Sequence, residues 1–252
     1  LLPDVLTSQC RDLEAGKTTG ERVLRIATHP AVRSQGLGSR LLDEIRAASE
    51  HDAIDWLGVG YGATPDLVSF WDRNGFSPVH LAITRNDRSG EHSALMLAPL
   101  SEPGRDLRDR HARWFTERIG GLLTDSLADL DPDVVRAVLG ANSVEAPLDL
   151  SAHEWRTVAA AAYGPGLAAI DPDAFRRLAL AHFTDPESDR LSAREERLLV
   201  ARILQSRSVE WVADDLGYVS TRECLRALGD AYRPLVDRYG DAAAHEERDR
   251  YD

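Results

Sequence analysis

Lysine is nearly missing from this chain: Lys17 stands alone against 29 arginines. Cysteine is reduced to Cys10 and Cys224, methionine to one residue, and aromatics to 6%. Two distant cysteines exclude a disulfide framework and a Cys-based zinc site, so we expect no bound metal and reduced thiols in a cytoplasmic protein. No apolar run approaches the ~20 residues that cross a bilayer as a helix. The opening Leu1-Leu2-Pro3-Asp4 has neither a basic start nor a small-residue cleavage site, so it is not read as a signal peptide. It also lacks an initial Met, and we expect a fragment or a processed product. Bases are short as well: 42 acids against 30 bases leave a net charge of −12. Residues 1–100 carry −3 of it and residues 101–252 carry −9. That balance argues against a simple basic footprint for nucleic acid. It fits a surface adapted to high salt, where self-repulsion is screened and local arginine clusters matter more than net charge.

The 252 residues are enough for one large or two modest domains. A short helix is expected over 3–12, then a loop over 15–21. "RVLRIAT" (22–28) reads as a strand. The next helix carries Leu37, Leu41, Leu42, Ile45 and Ala48 on one face. "IDWLGVGYG" (54–62) reads as a buried strand. Thr64 caps a helix with Pro65 in its first turn and Leu67, Phe70 and Trp71 facing inward, and Asn74-Gly75 stop it. Strands at 77–84 and 93–100 flank a polar turn. The order strand, helix, strand, helix, strand, strand is α/β, parallel first and closing on a hairpin. Beyond Leu100 only helical signals occur. Ser192 with Glu195 and Ser220 with Glu223 read as capping boxes. Asp171-Pro172 opens another helix, with Phe175, Leu178 and Leu180 as core residues. We therefore expect a domain at 1–100, helices at 101–141 docking on it, and a helical bundle at 142–252 with Trp155, Tyr163 and Trp211 in its core. Its last twelve residues are expected to fray.

Between the first strand and its helix lies "RIATHPAVRSQGLGSRLL" (25–42). A strand entering a glycine loop and then a helix N-terminus is an anion cradle: amides point inward, the helix dipole adds positive charge, and glycines admit phosphate closely. It lacks the third glycine of a dinucleotide fingerprint. The Gly-Lys-Thr at 16–18 is not a P-loop, because Arg11 stands where the first glycine should be.

The run Arg33-Ser34-Gln35-Gly36-Leu37-Gly38 resembles the acetyl-CoA pyrophosphate loop of the GNAT acetyltransferase superfamily. "FWDRNGF" (70–76) resembles that superfamily's second signature. Together with "DWLGVGYG" and "RNDRSGEHSALML", these stretches are similar to one branch, the RNA cytidine acetyltransferases, over about residues 3–125. The resemblance implies a GNAT-like α/β sheet followed by an all-α helical tail. The sheet is partial, because the three strands that normally lead it are missing. Acetyl-CoA is the implied cosubstrate, lying along Ile26, Ala27 and Thr28, with its diphosphate on Arg33, Ser34, Gln35, Gly36, Leu37, Gly38 and Ser39, and a further contact from Arg73. The glycines at 58, 60 and 62 suit a strand that parts from its neighbour. The implied partners are RNA (tRNA or rRNA) and an upstream ATPase module of the same polypeptide, which would carry ATP and Mg.

The implied reaction acetylates the N4 amine of cytidine, a weak nucleophile. Thr28 N–H is the expected oxyanion donor. His92 and Asp87 are the leading acid–base choices, with Glu91 and His29 also considered; Trp71 stands where many GNAT enzymes place a tyrosine. Arg105, Arg108, Arg110, Arg113 and Arg118 are expected to meet RNA phosphates, with Trp114 or Phe115 stacking a base. Two other readings stay open: a GNAT acting on protein or small-molecule amines, and a non-catalytic remnant that binds acetyl-CoA or RNA.

Overall fold

The computed structural model describes residues 2–87, 89–188 and 191–251; Arg88 of the hairpin turn lies outside them. The chain divides into two compact units: Leu1–Thr116 with Ala141–Val144, and Glu117–Gly140 with Glu145–Asp252.

The first unit is a four-stranded sheet in the order β1-β2-β4-β3, built from β1 (Gly20–Val23), β2 (Trp56–Gly62), β3 (Ser77–Arg85) and β4 (His92–Pro99). β1 and β2 run parallel; β4 is antiparallel to both β2 and β3. A short helix, α1 (Leu2–Asp4), continues as a π turn to Gln9, and a 3-10 turn covers Leu13–Lys17. Two helices follow, α2 (Leu37–His51) and α3 (Pro65–Arg73); α4 (Glu102–Leu123) begins in this unit.

Strand alternation sorts these elements into layers. Glu21 bonds Ser49 of α2 at 2.6 Å, and the Tyr61 ring meets Trp71 of α3 at 6.0 Å, so α2 and α3 cover one face. The opposite face carries Leu2, Leu6, Trp56, Leu97 and Leu107 in one buried cluster. Trp56 there donates its indole N–H to Thr18 at 2.9 Å.

The first strand is earlier and shorter than expected. Its pairing ends at Val23 opposite Val59, and Leu24 is 74% exposed. Residues 24–28 are β-rich in composition but bend away from β2 toward the Pro30 turn, and among the described residues β1 pairs with β2 alone. The α2 face is likewise incomplete: Leu42 is buried, whereas Leu37, Leu41 and Ala48 are exposed.

The second unit is helical: the end of α4, then α5 (Pro132–Gly140), α6 (Ala152–Tyr163), α7 (Pro172–Thr184), α8 (Ala193–Leu199) running into a π turn to Leu204, α9 (Val209–Asp215), α10 (Thr221–Tyr239) and α11 (Ala242–Arg248). Phe175 and Leu178 are fully buried, Leu180 half-buried. Ser192 and Glu195 form a capping box, as do Ser151 and Glu154, a pair not expected from the sequence. Ser220 accepts from the Glu223 amide, but Glu223 turns to the Val219 N–H instead of closing the box. Among the described residues the end of the chain is ordered: Asp241 caps α11, and Ala243 and Ala244 are small enough to bury. Trp155 is core, but Trp211 is 40% exposed, with the Arg207 guanidinium 4.0 Å over its ring. The first crossing between the units falls inside α4, at Thr116–Glu117, not after residue 100, and the last follows Val144, near the expected 141. A continuous 22-residue helix offers no linker at which to divide.

One buried charge cluster ties the start of the chain to α4. Asp12, 5% exposed, accepts from Arg110 Nη2 at 2.7 Å and lies 2.8 Å from His111 Nε2. Burial works to raise its carboxyl pKa, but the bonds and charges of Arg110 and His111 outweigh that and hold it below 3.8. A depressed folded-state pKa stabilises above the ordinary carboxylate range and is lost as pH falls through the lowered value. We predict that Asp12→Asn lowers the unfolding free energy at pH 7 by about 3 kcal/mol, the cost of breaking a buried pair. Urea unfolding at pH 7 and pH 3 checks this: the wild-type advantage shrinks at the lower pH.

Candidate functional site

Local chemistry explains why the chain opens a cavity at the start of α2. Pro30 fixes a 3-10 turn over Pro30–Val32, capped by His29, whose Nδ1 accepts the Ala31 N–H at 3.3 Å. Ser34 (φ 59) and Gly36 (φ 76) then reverse the chain through the left-handed region, where glycine alone is unstrained. The first helical bond runs from Arg40 N–H to the Gly36 carbonyl at 3.0 Å. The amides of Leu37, Gly38 and Ser39 therefore have no carbonyl to meet within the helix, and they carry the positive end of its dipole.

These residues surround a cavity of about 620 Å³. Ile26, Ala27 and Thr28 form one wall, and Arg33, Ser34, Gly36, Leu37, Gly38 and Ser39 the helix end; Arg73 comes from α3. Every residue expected to hold acetyl-CoA thus lines one space except Gln35, which does not line it. Arg33 is steered by its Nε bond to the Thr28 carbonyl at 3.4 Å, and Arg73 by a bond to Ser69 Oγ at 3.0 Å. A Cβ at Gly38 would stand 3.2 Å from the Phe70 ring, so helix and ring approach as closely as glycine permits.

Val32, Leu67 and Phe70 also line the cavity and were not expected as site residues. Leu67 and Phe70 were expected in the core. In α3, however, Val68 and Trp71 are the buried pair, while Leu67 is 41% exposed and Phe70 half-buried. The signal was an apolar stripe too wide for one interface. Two adjacent stripes on a nine-residue helix serve two surfaces, the sheet and the mouth of α2.

The acid–base expectations fare differently. Thr28 lines the cavity, but His92 and Asp87 do not. His92 is 3% exposed, its Nδ1 2.8 Å from the Ala82 carbonyl, so it works as a structural bond inside the hairpin. Asp87 sits exposed in the turn, and the turn's side-chain bond comes from Asn86, whose Oδ1 accepts the Ser89 N–H. Tyr61 donates to Met96 Sδ at 2.8 Å, and burial drives its hydroxyl pKa upward, with the Asp72 charge adding to it. Burial also raises the Asp72 carboxyl against the pull of Arg73.

On α4, Arg105 and Arg113 are exposed, Arg108 pairs with Asp109 at 2.7 Å, and Arg110 is committed to Asp12. Phe115 is fully buried and cannot stack a base; Trp114 is half-buried against His111.

Residues 46–101 match the family described as GNAT acetyltransferase 2. Along its whole length the chain is 60% identical to a protein of Haloferax volcanii named tRNA(Met) cytidine acetyltransferase TmcA, and 51% identical to the protein of that name in Haloarcula marismortui. Over 94% of the chain it is 32% identical to the one in Pyrococcus furiosus. The chain spans about a third of each relative's length: 33%, 32% and 30%.

Proposed function

We propose, from the GNAT acetyltransferase 2 match at residues 46–101 and from similarity along the chain to proteins named tRNA(Met) cytidine acetyltransferase, that this chain moves an acetyl group from acetyl-CoA to the N4 amine of cytidine in RNA. One observation carries the reading: the cavity at the start of α2 gathers the pyrophosphate-loop residues, a second guanidinium and an apolar wall around a single space. That donor set fits acetyl-CoA. The amides of 37–39 and Arg33 would hold the diphosphate, and Arg73 would supply further positive charge. The backbone of 26–28, released from β2, would run beside the pantetheine arm, with Thr28 N–H facing the acetyl carbonyl. An oxyanion donor of this kind contributes about 3–4 kcal/mol to the transition state.

The chain matches only about a third of its relatives, so we infer a larger polypeptide whose upstream part carries an ATPase module with ATP and Mg. The outer edge of β1 suits the leading strands of that polypeptide. Beside it lies a groove of about 670 Å³ lined by Arg22, Val23, Leu24, Arg25 and Ile45. For RNA, Arg105 and Arg113 on α4 are exposed and, among the described residues, outside the carboxylate pairs that engage Arg108 and Arg110, and the target base would have to be splayed out of its stack to reach the thioester.

Two outcomes test the reading in the full-length protein. Gly38→Glu puts a carboxylate against Phe70 and into the diphosphate position; we predict at least a 100-fold loss of acetyl-CoA affinity by calorimetry in a variant that circular dichroism shows to be folded. Undiminished affinity in that variant contradicts the loop assignment. Arg105→Glu with Arg113→Glu should weaken tRNA binding about tenfold and flatten the slope of log K against log salt by about one for each phosphate no longer neutralised. An unchanged slope removes α4 from the RNA surface.

A further inference from the structure

The far side of the sheet holds a carboxylate where the two strands part. By alternation, Gly58, Gly60 and Gly62 share one face of β2, and Val59 and Tyr61 the other. Tyr61 meets α3, so the glycine face looks away from the helices that build the cavity. Leu2 packs over Gly58. Beyond it the Leu95 side chain covers Gly60, 2.8 Å from where a Cβ would stand. Arg22, level with Gly58 in the β1–β2 register, reaches along this face to 3.6 Å from where a Gly60 Cβ would stand. The Glu91 carboxylate occupies the room that a Cβ on Gly62 would need.

Extending the β1–β2 register past its last pair, Val23 with Val59, would set Ile26 level with Gly62. Ile26 lines the cavity. Glu91 therefore stands beside the gap between the strands, on the face opposite the cavity. Its carbonyl and both flanking residues are held by hydrogen bonds. Its carbonyl accepts the Asn86 N–H at 2.8 Å, and the preceding Gly90 carbonyl accepts from Arg85 at 2.8 Å. The following His92 is locked to Ala82 by its ring and to Ala63 N–H through its carbonyl at 2.8 Å.

We propose that Glu91 is the general base that takes the proton from the acceptor amine, an assignment that rests on the acetyl-transfer reading above. The amine lone pair attacks the thioester carbonyl carbon, a nitrogen–carbon bond forms, and the carbonyl π pair moves onto oxygen. The N–H proton passes to a Glu91 carboxylate oxygen. Collapse of the intermediate breaks the carbon–sulfur bond and expels the thiolate, which receives that proton through solvent. His92 and Asp87 are less suited to this role: the imidazole is buried and bonded inside the hairpin, and Asp87 is exposed in the turn.

The test uses the full-length protein with acetyl-CoA, ATP and a tRNA transcript. Glu91→Gln, which keeps the shape and removes the base, should lower kcat at least 100-fold, in the range general bases contribute, while acetyl-CoA affinity and the KM for RNA stay within about twofold. Gly62→Ala, which pushes the carboxylate aside with Glu91 intact, should lower kcat at least tenfold with the same unchanged affinities. Glu91→Gln that turns over within threefold of wild type overturns the assignment, as does a fall in acetyl-CoA affinity that matches the fall in rate, which makes Glu91 a structural residue. Wild-type protein that does not bind acetyl-CoA overturns the site reading itself, and this inference with it.

Discussion

The parting of β1 from β2 is the constraint on which the site depends. The two strands share four residue pairs, Gly20 with Trp56 through Val23 with Val59, and then separate. Had they stayed paired, the amides and carbonyls of residues 24–28 would be spent on β2. There would then be no wall for the cavity and no gap between the faces of the sheet. The separation is stable because each partner is held from elsewhere. β2 keeps its full ladder with β4 out to Gly62 opposite Ser93. The departing chain is caught by the Pro30 turn and by the Arg33 bond back to Thr28. The orphan backbone groups created by the split are the ones a ligand can use.

A protein with a net charge of −12 gathers two guanidinium groups and unbonded helix amides around one cavity at the start of α2. The groups assembled there explain how that works. At ~1 M salt the screening length shrinks to about 3 Å, so long-range attraction disappears and only direct contacts remain. Main-chain amides at a helix N-terminus act by direct hydrogen bonding and do not depend on net charge. Guanidinium groups add forked donors that also act at contact distance. Arg33 and Arg73 at the cavity, and the near-absence of lysine elsewhere, are consistent with that mode of binding.

Much of the fold was legible in the sequence because local rules coincide with tertiary demands. The Thr64-Pro65 start and the Asn74-Gly75 stop gave α3 its true limits. Short apolar runs bounded by turn residues exposed the strands β2, β3 and β4. The loop at 33–39 was readable because positive φ, missing side chains and helix onset leave a residue signature. What was not legible is what depends on neighbours. The length of β1 follows from where it leaves β2, and residues 24–28 look like strand by composition alone. Trp211 looks like core by type, yet Arg207, itself pinned to the carbonyls of Ala128 and Leu130, stacks on it at the surface. The closing "DAAAHEERDRYD" looks like a frayed end, yet two alanines allow α11 to bury. His92 is attractive by type, and only the hairpin's internal bonding shows that it is occupied.

The chemistry proposed here places a further demand on rigidity that the hairpin meets. An exocyclic amine whose lone pair is delocalised into a ring gains acidity as it attacks, so its base must already be in place as the bond forms. A freely rotating surface carboxylate would lose that advantage to the entropy of fixing it. Glu91 lies between a left-handed glycine, Gly90 at φ 73, and a buried histidine, with a glycine beneath its carboxylate. The buried histidine anchors the strand, the left-handed glycine sets the turn that delivers it, and the glycine beneath leaves room for the carboxylate. On this view the hairpin stretch "SGEHS" is one device: the serine and glycine shape the turn, the histidine locks the strand, and the glutamate is the group they aim.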